Sequence, residues 1–254
     1  MKVSNRRSPR FSLIIPAYNE EAYLDALLDS VDKARACYVG GADQIELVVA
    51  DNASTDQTAD LARRRGCRVV QEEKRVIAAA RNAGARHAKG QVLAFIDADN
   101  IIHPDTFNAI DRSLSTGKVI AGATGVKIER VSLGIAVTYA LMVPMAWITG
   151  MDTGVAFCRR EDFETIGGYN EDLLFAEDVQ FLWDLMLLGR RRGQKLARIT
   201  SVKAVFSARK FDTYGDWHYL WLMILFLYGL LFSQRSMDNF ALKYWYSDER
   251  GKPR

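Results

Sequence analysis

The first hundred residues alternate between short apolar runs and longer stretches with helical periodicity. Apolar runs rich in β-branched residues predict buried strands at residues 11–15, 45–50, 68–70 and 92–96. Periodic leucines predict a helix over 20–38, alanines predict one over 76–88, and Ser54 or Thr55 is expected to cap another through 61–65. This alternation predicts an α/β domain whose mostly parallel sheet is covered on both faces.

The second half of the chain departs from this alternation. The pattern predicts strands at 122–128, 154–158 and 202–206 and helices at 162–166 and 177–188. No internal repeat or low-complexity linker interrupts the pattern. We therefore expect one domain over residues 10–210, followed by a C-terminal apolar helical appendage over residues 211–254.

That appendage contains an uncharged apolar run at residues 217–232. A helix of this length spans roughly 24 Å, whereas a bilayer core needs about 20 residues and about 30 Å. A buried core helix and an interfacial or re-entrant membrane helix both stay open, and a true span is the less favoured interpretation. Trp217 suits an interface, and Arg209 and Arg235 flank the run. A second apolar stretch, residues 131–150, is a further candidate surface for a lipid or an acceptor.

Composition narrows the class of protein. The chain has 254 residues, of which 49% are hydrophobic and 26% charged, enough for one sizeable core. A net charge of +3 is too mild to indicate a nucleic-acid partner. The clustered arginines at 6–10, 63–65 and 190–192 are either solvated faces or a patch facing anionic lipid.

Cysteine usage and the N-terminus bear on location. The three cysteines are Cys37, Cys67 and Cys158, an odd number that is widely spaced. This spacing argues against a disulfide or zinc framework and favours a reducing cytosol. The apolar run at 11–15 is too short for a signal peptide and meets Pro16. We expect a cytoplasmic protein, with peripheral contact to the cytoplasmic face of the inner membrane as an open alternative.

Candidate chemistry begins with two aspartates directly after the fourth predicted strand. Asp97 and Asp99 stand at alternate positions of an extended segment, which places both side chains on the same side. Two such carboxylates form half of a site for Mg²⁺ or Mn²⁺, which prefer oxygen ligands. The alternative is a loop of solvated aspartates that caps a helix near Pro104.

Two other loops follow predicted strands and should meet Asp97 at the same edge of the sheet. In the first, Pro16 is expected to end strand pairing and Asn19 to cap the next helix. In the second, Asp51 stands at a strand end, where a carboxylate can accept the imide N–H of a pyrimidine; the alternative is an N-cap loop. Ligands bind at the carboxyl ends of strands in such sheets, so this convergence predicts a binding site.

Five motifs in order resemble the family-2 glycosyltransferases of the GT-A fold, a Rossmann-like fold, over about residues 10 to 210. The matching segments are Ile14 to Glu20, Asp51 to Asp56, Ala80 to Ala85 with Gly90, Asp97-Ala98-Asp99, and Gly167-Gly168-Tyr169 followed by Glu177-Asp178. The resemblance implies a nucleotide-diphospho-sugar transferase. It also implies that Asp97 and Asp99 hold Mn²⁺ or Mg²⁺ against the donor diphosphate and that Asp178 is the general base.

The resemblance also assigns substrate contacts. It implies that the first loop and Asp51 contact the nucleoside and that three basic residues after the third strand help at the phosphates. The residues implied to bind substrate are Pro16, Ala17, Tyr18, Glu20, Asp51, Lys74, Arg75, Arg81, Ala98, Glu177 and Arg209. For Glu177 and Asp178, capping of the following helix is the alternative role.

Two departures from the family pattern stand out. Arg75 stands where many relatives have glycine, and residues 205–210 lack the histidine that sometimes completes the metal site. Arg209 or Lys210 is expected to reach the diphosphate instead. The Gln-x-x-Arg-Trp pattern of processive synthases is not found, which favours transfer of a single sugar.

These observations predict a metal-dependent, inverting glycosyltransferase. The predicted reaction moves one sugar from a nucleoside-diphosphate sugar, with UDP favoured, to a hydroxyl of an envelope glycan or a lipid-linked precursor. The main alternative is a non-catalytic nucleotide-sugar-binding or scaffold protein at the membrane, against which the intact carboxylates argue. A nucleotidyltransferase is disfavoured because the first loop is not rich in glycine and arginine.

Overall fold

The computed structural model describes residues 8–130, 132–138, 140–141, 151–152, 154–174, 176–207, 209–217 and 220. Within these residues, seven strands form one sheet in the order β3-β2-β1-β4-β6-β5-β7. The strands are β1 Phe11–Ala17, β2 Ile45–Asp51, β3 Arg68–Gln71, β4 Val92–Phe95, β5 Val119–Ile128, β6 Ala156–Arg159 and β7 Lys195–Phe206. The helices are α1 Leu24–Cys37, α2 Thr58–Arg64, α3 Ile77–His87, α4 Thr106–Ser115, α5 Arg160–Ile166, α6 Glu177–Arg191 and α7 Arg209–Tyr214, with a 3₁₀ turn at Ala42–Gln44 and helical residues at 133–138.

The first four strands are all parallel, as the alternating pattern predicts. β1 pairs with β2 and β4, and β2 pairs with β3. Ala17 and Asp51 are in register at the carboxyl ends of β1 and β2. Because the carboxyl ends of parallel strands share one edge, the polar loops after β1, β2 and β4 converge there.

The other half of the sheet contains an antiparallel insertion. β6 lies between β4 and β5 and is antiparallel to both. β5 and β7 are parallel to each other, with two shifts of register along their length. A methyl group at Gly122 would lie 2.1 Å from the Ala197 carbonyl oxygen, so glycine is required there for β5 and β7 to approach. The sheet is still mostly parallel, which confirms the predicted α/β fold class.

Two apolar cores cover the sheet, one on each face. One face packs against α1, α2 and α4 through residues such as Leu24, Leu61 and Phe107. The other packs against α3, α5 and α6, where Phe95 and Phe181 meet edge to face at 5.8 Å. The second core fixes the start of α6 next to α3, and both helices carry site residues.

Three local predictions are wrong: the role of Pro16, the start of the first helix and the cap of α2. Pro16 does not end pairing: it lies in β1 opposite Ala50, beyond the pairing of β1 with β4, where its missing N–H is tolerated. The first helix begins at Leu24 rather than residue 20, because Asn19 adopts a left-handed φ of 52° and a turn follows.

The cap expected for α2 is also different. Neither Ser54 nor Thr55 caps the helix, which begins at Thr58. Asp56 Oδ1 accepts the Thr58 backbone N–H at 2.9 Å instead, satisfying one of the helix's free donors. The two hydroxyl residues are thus available to join the first loop.

The apolar appendage lies mostly outside the described residues. Only residues 217 and 220 of the run at 217–232 are described, and residues 131, 139 and 142–150 of the stretch at 131–150 are likewise outside them. In the part of the chain that is described, no helix is both long and apolar enough to cross a membrane. The predicted domain limits, 10–210 and 211–254, remain a prediction.

Candidate active site

The loops after β1 and β2 are hydrogen-bonded to each other. The Asn19 N–H donates to Ser54 Oγ at 3.1 Å, and Asn19 Oδ1 accepts the Thr55 N–H at 2.8 Å. The Glu20 N–H donates to Thr58 Oγ1 at 2.8 Å. The prediction that Asn19 caps the first helix is therefore wrong: its side chain joins two loops and holds one wall of the site.

Asp51 lies at the end of β2, with only 3% of its surface exposed. Its Oδ1 accepts the Ser54 N–H at 3.3 Å. The neighbouring Asn52 side chain donates to the carbonyl oxygens of Glu72 at 2.9 Å and Lys74 at 2.7 Å. These bonds place the loop over residues 72–75 beside Asp51, so two loops flank the carboxylate predicted to bind the base.

The basic residues of that loop make protein contacts in the structure. The Arg75 guanidinium lies over the Tyr18 ring, 3.9 Å from its centroid. Lys74 Nζ pairs with Glu171 at 3.2 Å. The predicted roles of Tyr18, Arg75 and Lys74 in substrate binding remain predictions. Their contacts bring all three to the same edge of the sheet as Asp51.

Arg81 occupies the innermost position of the site. It is buried on α3 and donates to Glu177 Oε1 at 2.7 Å and to Asp97 Oδ1 at 2.9 Å. Although burial opposes its charge, the carboxylates of Asp97 and Glu177 raise the pKa of Arg81 above its usual value. We call Arg81, Asp97 and Glu177 the inner group; the sequence prediction had placed Arg81 at the phosphates.

Arg209 makes an equivalent arrangement at the outer side. Its two terminal nitrogens donate to the two oxygens of Glu20 at 2.9 and 3.0 Å, and its Nη2 lies 3.0 Å from Asp99 Oδ2. The guanidinium also lies over the Tyr23 ring at 4.6 Å. Burial raises the pKa of Glu20, although Arg209 acts against this shift. We call Arg209, Glu20 and Asp99 the outer group.

The end of β7 brings Arg209 to this position. Ile101, just after the aspartates, exchanges backbone hydrogen bonds with Val205 at 3.0 and 2.8 Å. Asn100 Oδ1 accepts the Ser207 N–H at 3.3 Å. The chain therefore passes beside the Asp97–Asp99 loop before α7 begins. Ala98, between the two aspartates, is buried, so the loop backbone packs against the core.

Two neighbouring carboxylates at the start of α6 have different environments. The helix follows Ala176, whose φ of 57° is left-handed. Glu177 is buried in the inner group, and burial raises its pKa. Asp178 is partly exposed, and its Oδ1 accepts the Val179 N–H at 2.8 Å. Asp178 is thus the more accessible carboxylate of the pair.

The donor atoms suit a divalent cation that substrate helps to hold. Among the described residues, no cluster of three or more His, Cys, Asp or Glu is arranged to bind a metal by itself. Asp97 and Asp99 nevertheless offer two carboxylates, with side-chain exposures of 40% and 15%. Mg²⁺ characteristically binds through one or two carboxylates plus substrate phosphates. The residues present therefore fit an oxygen-ligated cation bound together with a diphosphate.

Sequence reasoning missed several supporting residues. The Asn82 side chain donates to the Tyr169 carbonyl oxygen and to Glu171 Oε1, both at 2.9 Å. Asn82 Oδ1 accepts the Tyr169 N–H at 2.9 Å. Both Asn82 and Tyr169 belong to motifs that carry the family resemblance, but their pairing was not predicted. Tyr23 offered no signal, because its partner Arg209 is distant in sequence.

Comparison with known proteins identifies the family. Residues 12–170 match the model of glycosyl transferase family 2. This match covers more than half of the chain, and the chain belongs to that family.

Individual relatives match over part of their length. Validoxylamine A glucosyltransferase from Streptomyces hygroscopicus subsp. limoneus is 34% identical over 108 residues, which are 40% of this chain and 23% of the relative. Poly(ribitol-phosphate) beta-N-acetylglucosaminyltransferase TarS from Staphylococcus aureus is 32% identical over 103 residues, which are 38% of this chain and 17% of the relative. The aligned region thus spans well under half of either relative.

Solved structures share the fold. The mannosyltransferase PcManGT from Pyrobaculum calidifontis, in complex with GDP-Man and Mn²⁺, superposes with a TM-score of 0.62 at 27% identity, covering 79% of this chain and 57% of that one. Residues 1–349 of S. aureus TarS superpose with a TM-score of 0.60 at 21% identity, covering 82% of this chain and 63% of that one. Both support the GT-A assignment.

Proposed function

We propose that the chain is a metal-dependent, inverting glycosyltransferase. It transfers one sugar from a nucleoside-diphosphate sugar to a hydroxyl of an envelope glycan or a lipid-linked precursor. The observation that carries this proposal is that Asp51, Asp97, Asp99 and Asp178 all lie at a strand end, in a loop or at a helix start along one edge of the sheet. The relatives support the reaction class, since they are named as glycosyltransferases.

Each carboxylate has a distinct role in the proposed reaction. Asp51, buried at the end of β2, accepts an N–H of the donor base. Asp97 and Asp99 hold the divalent cation, which when bound neutralises charge developing on the leaving diphosphate. The partly exposed Asp178 takes the proton of the acceptor hydroxyl as that oxygen bonds to the anomeric carbon.

Inversion follows from the use of a single displacement. The acceptor oxygen forms its bond to the anomeric carbon while the bond from that carbon to the diphosphate oxygen breaks. The electron pair leaves with the nucleoside diphosphate, and the proton goes to Asp178. Such a displacement needs one base and no protein nucleophile. The assignment therefore gives Asp178 the base role and Glu177 a supporting one.

The first experiment is thermal unfolding with UDP, GDP, dTDP and CMP, each with and without Mn²⁺. A ligand that binds only the folded state raises stability with the logarithm of its concentration over Kd. The sequence favours UDP, whereas PcManGT carries GDP-Man, so both are essential arms. We expect one nucleoside diphosphate to raise the Tm only when Mn²⁺ is present.

Single variants assign that stabilisation to the paired aspartates. Asp97→Ala and Asp99→Ala should each remove the Mn²⁺-dependent rise in Tm, because each takes away a carboxylate of the proposed metal site. Asp60→Ala is a matched control, since Asp60 is an exposed aspartate that pairs with Arg63 on α2. Metal-dependent stabilisation that persists in both site variants would refute the metal assignment.

The lipid-linked acceptor in this proposal is supported by exposed apolar residues at which a membrane contact is proposed. Leu133 is 74% exposed and Trp217 is 51% exposed. The backbone segments that carry them lie side by side, because a methyl group on Gly134 would be 2.8 Å from the Asp216 carbonyl oxygen. Exposed apolar residues grouped in this way mark interaction sites, and tryptophan is favoured at membrane interfaces.

Vesicle flotation tests this part of the proposal separately. Wild-type protein should float with vesicles of phosphatidylglycerol and phosphatidylethanolamine, and Leu133→Asp combined with Trp217→Asp should reduce the floating fraction. Val39→Asp is the control, since Val39 is 90% exposed and follows α1 at the opposite edge of the sheet. Equal flotation of all three proteins would refute the proposed membrane contact and would leave the transferase proposal unaffected.

A further inference from the structure

The outer group contains a side-chain cation at the position where a metal and a diphosphate would compete for partners. The Arg209 guanidinium contacts both oxygens of Glu20 at 2.9 and 3.0 Å and Asp99 Oδ2 at 3.0 Å. The side chains of Glu20 and Asp99 are only 12% and 15% exposed. Two carboxylates this desolvated need a compensating cation, and Arg209 supplies it in the structure.

A divalent cation and the guanidinium would require the same carboxylate. Asp99 is a proposed metal ligand, and Mg²⁺ and Mn²⁺ bind carboxylate oxygens at short distances. Arginine cannot lose its proton, so a cation bound at Asp99 would repel the guanidinium, and this repulsion favours its moving aside. The arriving diphosphate offers it a new partner, because guanidinium groups pair with phosphate oxygens in two-pronged geometry.

We propose that Arg209 is a resident cation that exchanges partners when the donor binds. It balances Glu20 and Asp99 in the empty site, gives up Asp99 to the divalent cation, and then pairs with the donor diphosphate. This inference rests on the proposed function. It makes Arg209 a substrate-binding residue whose removal should strengthen the binding of metal alone and weaken the binding of nucleotide with metal.

Local structure makes this exchange feasible for Arg209 and not for Arg81. Arg209 lies at the start of the 6-residue helix α7, and its side chain is 24% exposed. Arg81 lies within the 11-residue helix α3, with 10% of its side chain exposed. The side chain of its neighbour Asn82 donates to the Tyr169 carbonyl oxygen and accepts the Tyr169 N–H. The outer arginine can therefore swing while the inner one stays in place.

The test measures Mn²⁺ binding and Mn²⁺-dependent nucleotide binding separately. The first titration uses Mn²⁺ alone, followed by the electron paramagnetic resonance signal of the free ion. The second measures binding of UDP and of GDP by calorimetry at saturating Mn²⁺. Wild type is compared with Arg209→Gln, which removes the charge, and with Arg209→Lys, which keeps the charge but not the two-pronged geometry.

We expect the two measurements on Arg209→Gln to move in opposite directions. Mn²⁺ alone should bind about tenfold more tightly, since hydrogen bonds between charged groups that compete with it have been removed. Mn²⁺-dependent nucleotide binding should become about tenfold weaker, since the diphosphate loses a partner. Arg209→Lys should shift both values in the same directions by smaller factors, and it serves in place of Arg209→Gln if that variant does not fold.

Arg10→Gln is the matched control. Arg10 pairs with Asp111 at 2.6 Å with a side-chain exposure of 30%, and it precedes β1 at the opposite edge of the sheet. Neither affinity should change in this variant. Circular dichroism of each variant verifies the fold before titration.

Each of the remaining outcomes would refute either the partner exchange or the proposed function. Weaker Mn²⁺ binding in Arg209→Gln would mean that Arg209 only holds the carboxylates in place, and the exchange would be refuted. Tighter Mn²⁺ binding with unchanged nucleotide affinity would refute the transfer to the diphosphate. Wild type that binds neither nucleotide with Mn²⁺ would instead refute the proposed function, a failure distinct from either result on the variants.

Discussion

The inner and outer groups divide the site into two halves of similar composition and different construction. Each contains one arginine shared between two carboxylates, and each includes one of the paired aspartates. The inner group joins α3, the end of β4 and α6. The outer group joins the first loop to α7. The inner arginine is enclosed by regular elements, whereas the outer one lies on a short helix.

This difference in construction indicates different roles for the inner and outer groups. Arg81 bonds both Asp97 and Glu177 and so fixes the proposed metal ligand relative to the start of α6, where the proposed base lies. It also lies 5.2 Å from the Tyr169 ring centroid, within the aromatic cluster of the second core. Arg209 lies outside that core and is held by ion pairs and the Tyr23 ring. We infer that the inner group holds its residues in fixed positions, whereas the outer group allows Arg209 to change partners.

The largest expected effect comes from the residue next to the inner group. Asp178→Asn should lower the turnover rate by about 10²- to 10⁴-fold, the usual contribution of a positioned general base. Mn²⁺-dependent nucleotide binding should be retained, because Asp178 is not a proposed metal ligand. Release of nucleoside diphosphate in steady-state assays measures the first quantity, and calorimetry measures the second.

A neighbouring aspartate provides the comparison. Asp184 lies on the same helix, where its carboxylate accepts a hydrogen bond from Gln180 at 3.4 Å. Asp184→Asn should leave turnover near the wild-type rate. Near-normal turnover of Asp178→Asn would exclude Asp178 as the base and leave the proposed mechanism without one.

The second effect compares the stability of the two groups directly. Arg81→Met should lower the free energy of unfolding by about 3 to 5 kcal/mol, because it leaves the buried Glu177 without its cation. Arg209→Met should cost less, about 1 to 3 kcal/mol, because the Arg209 side chain is 24% exposed against 10% for Arg81, so water can replace part of its pairing. Urea unfolding followed by circular dichroism gives both values.

An exposed arginine on the same helix calibrates the comparison. Arg86 has a side-chain exposure of 56% and pairs with Glu72 at 3.4 Å, so Arg86→Met should change the stability by less than about 1 kcal/mol. Equal losses for Arg81→Met and Arg209→Met would show that the two groups do not differ in rigidity, contrary to our inference.

The smallest expected effect is on how the free energy of unfolding depends on pH. Burial raises the pKa of Glu177 above its ordinary value of 4.5, so the folded state binds more protons than the unfolded state over the interval just above that value. The free energy of unfolding therefore falls as the pH rises through this interval. Glu177→Gln should make that fall smaller, because it removes the group that takes up the extra proton.

Urea unfolding at about pH 5 and about pH 7 measures the difference. Wild type and Glu177→Gln share every other titrating group, including Glu20, whose pKa burial also raises. The difference between their slopes therefore isolates Glu177. A steeper fall in the variant would mean that the Arg81 charge outweighs burial and that the pKa of Glu177 is lowered in the folded protein.

Regular patterns explain how much of the fold could be predicted. The apolar runs at Phe11 and Val92 are buried strands because their side chains are apolar over their whole length, as parallel strands covered on both faces require. The positions of Asp51 and Asp97 at strand ends followed from this local pattern. Their meeting at one edge followed from the parallel arrangement.

Contacts between distant segments could not be predicted in the same way. The β6 strand lies between β4 and β5 and is antiparallel to both. Its direction depends on the path of the chain through the sheet, and its four residues do not indicate that direction. The ion pair of Lys74 with Glu171 could not be predicted, because the two residues are distant in sequence. Arg81 pairs with Glu177 and Asp97, a choice set by the packing of α3 against α6 and β4.

The order of strands and helices and the kinds of side chain at each strand end can be predicted from the amino-acid order alone. These properties depend on local periodicity and on the preferences of neighbouring residues, which a single chain displays directly. The tertiary structure alone decided which arginine neutralises which carboxylate. A guanidinium can pair with any carboxylate within reach, so its partners are chosen by burial and by the three-dimensional path of the backbone, as Arg81 and Arg209 both illustrate.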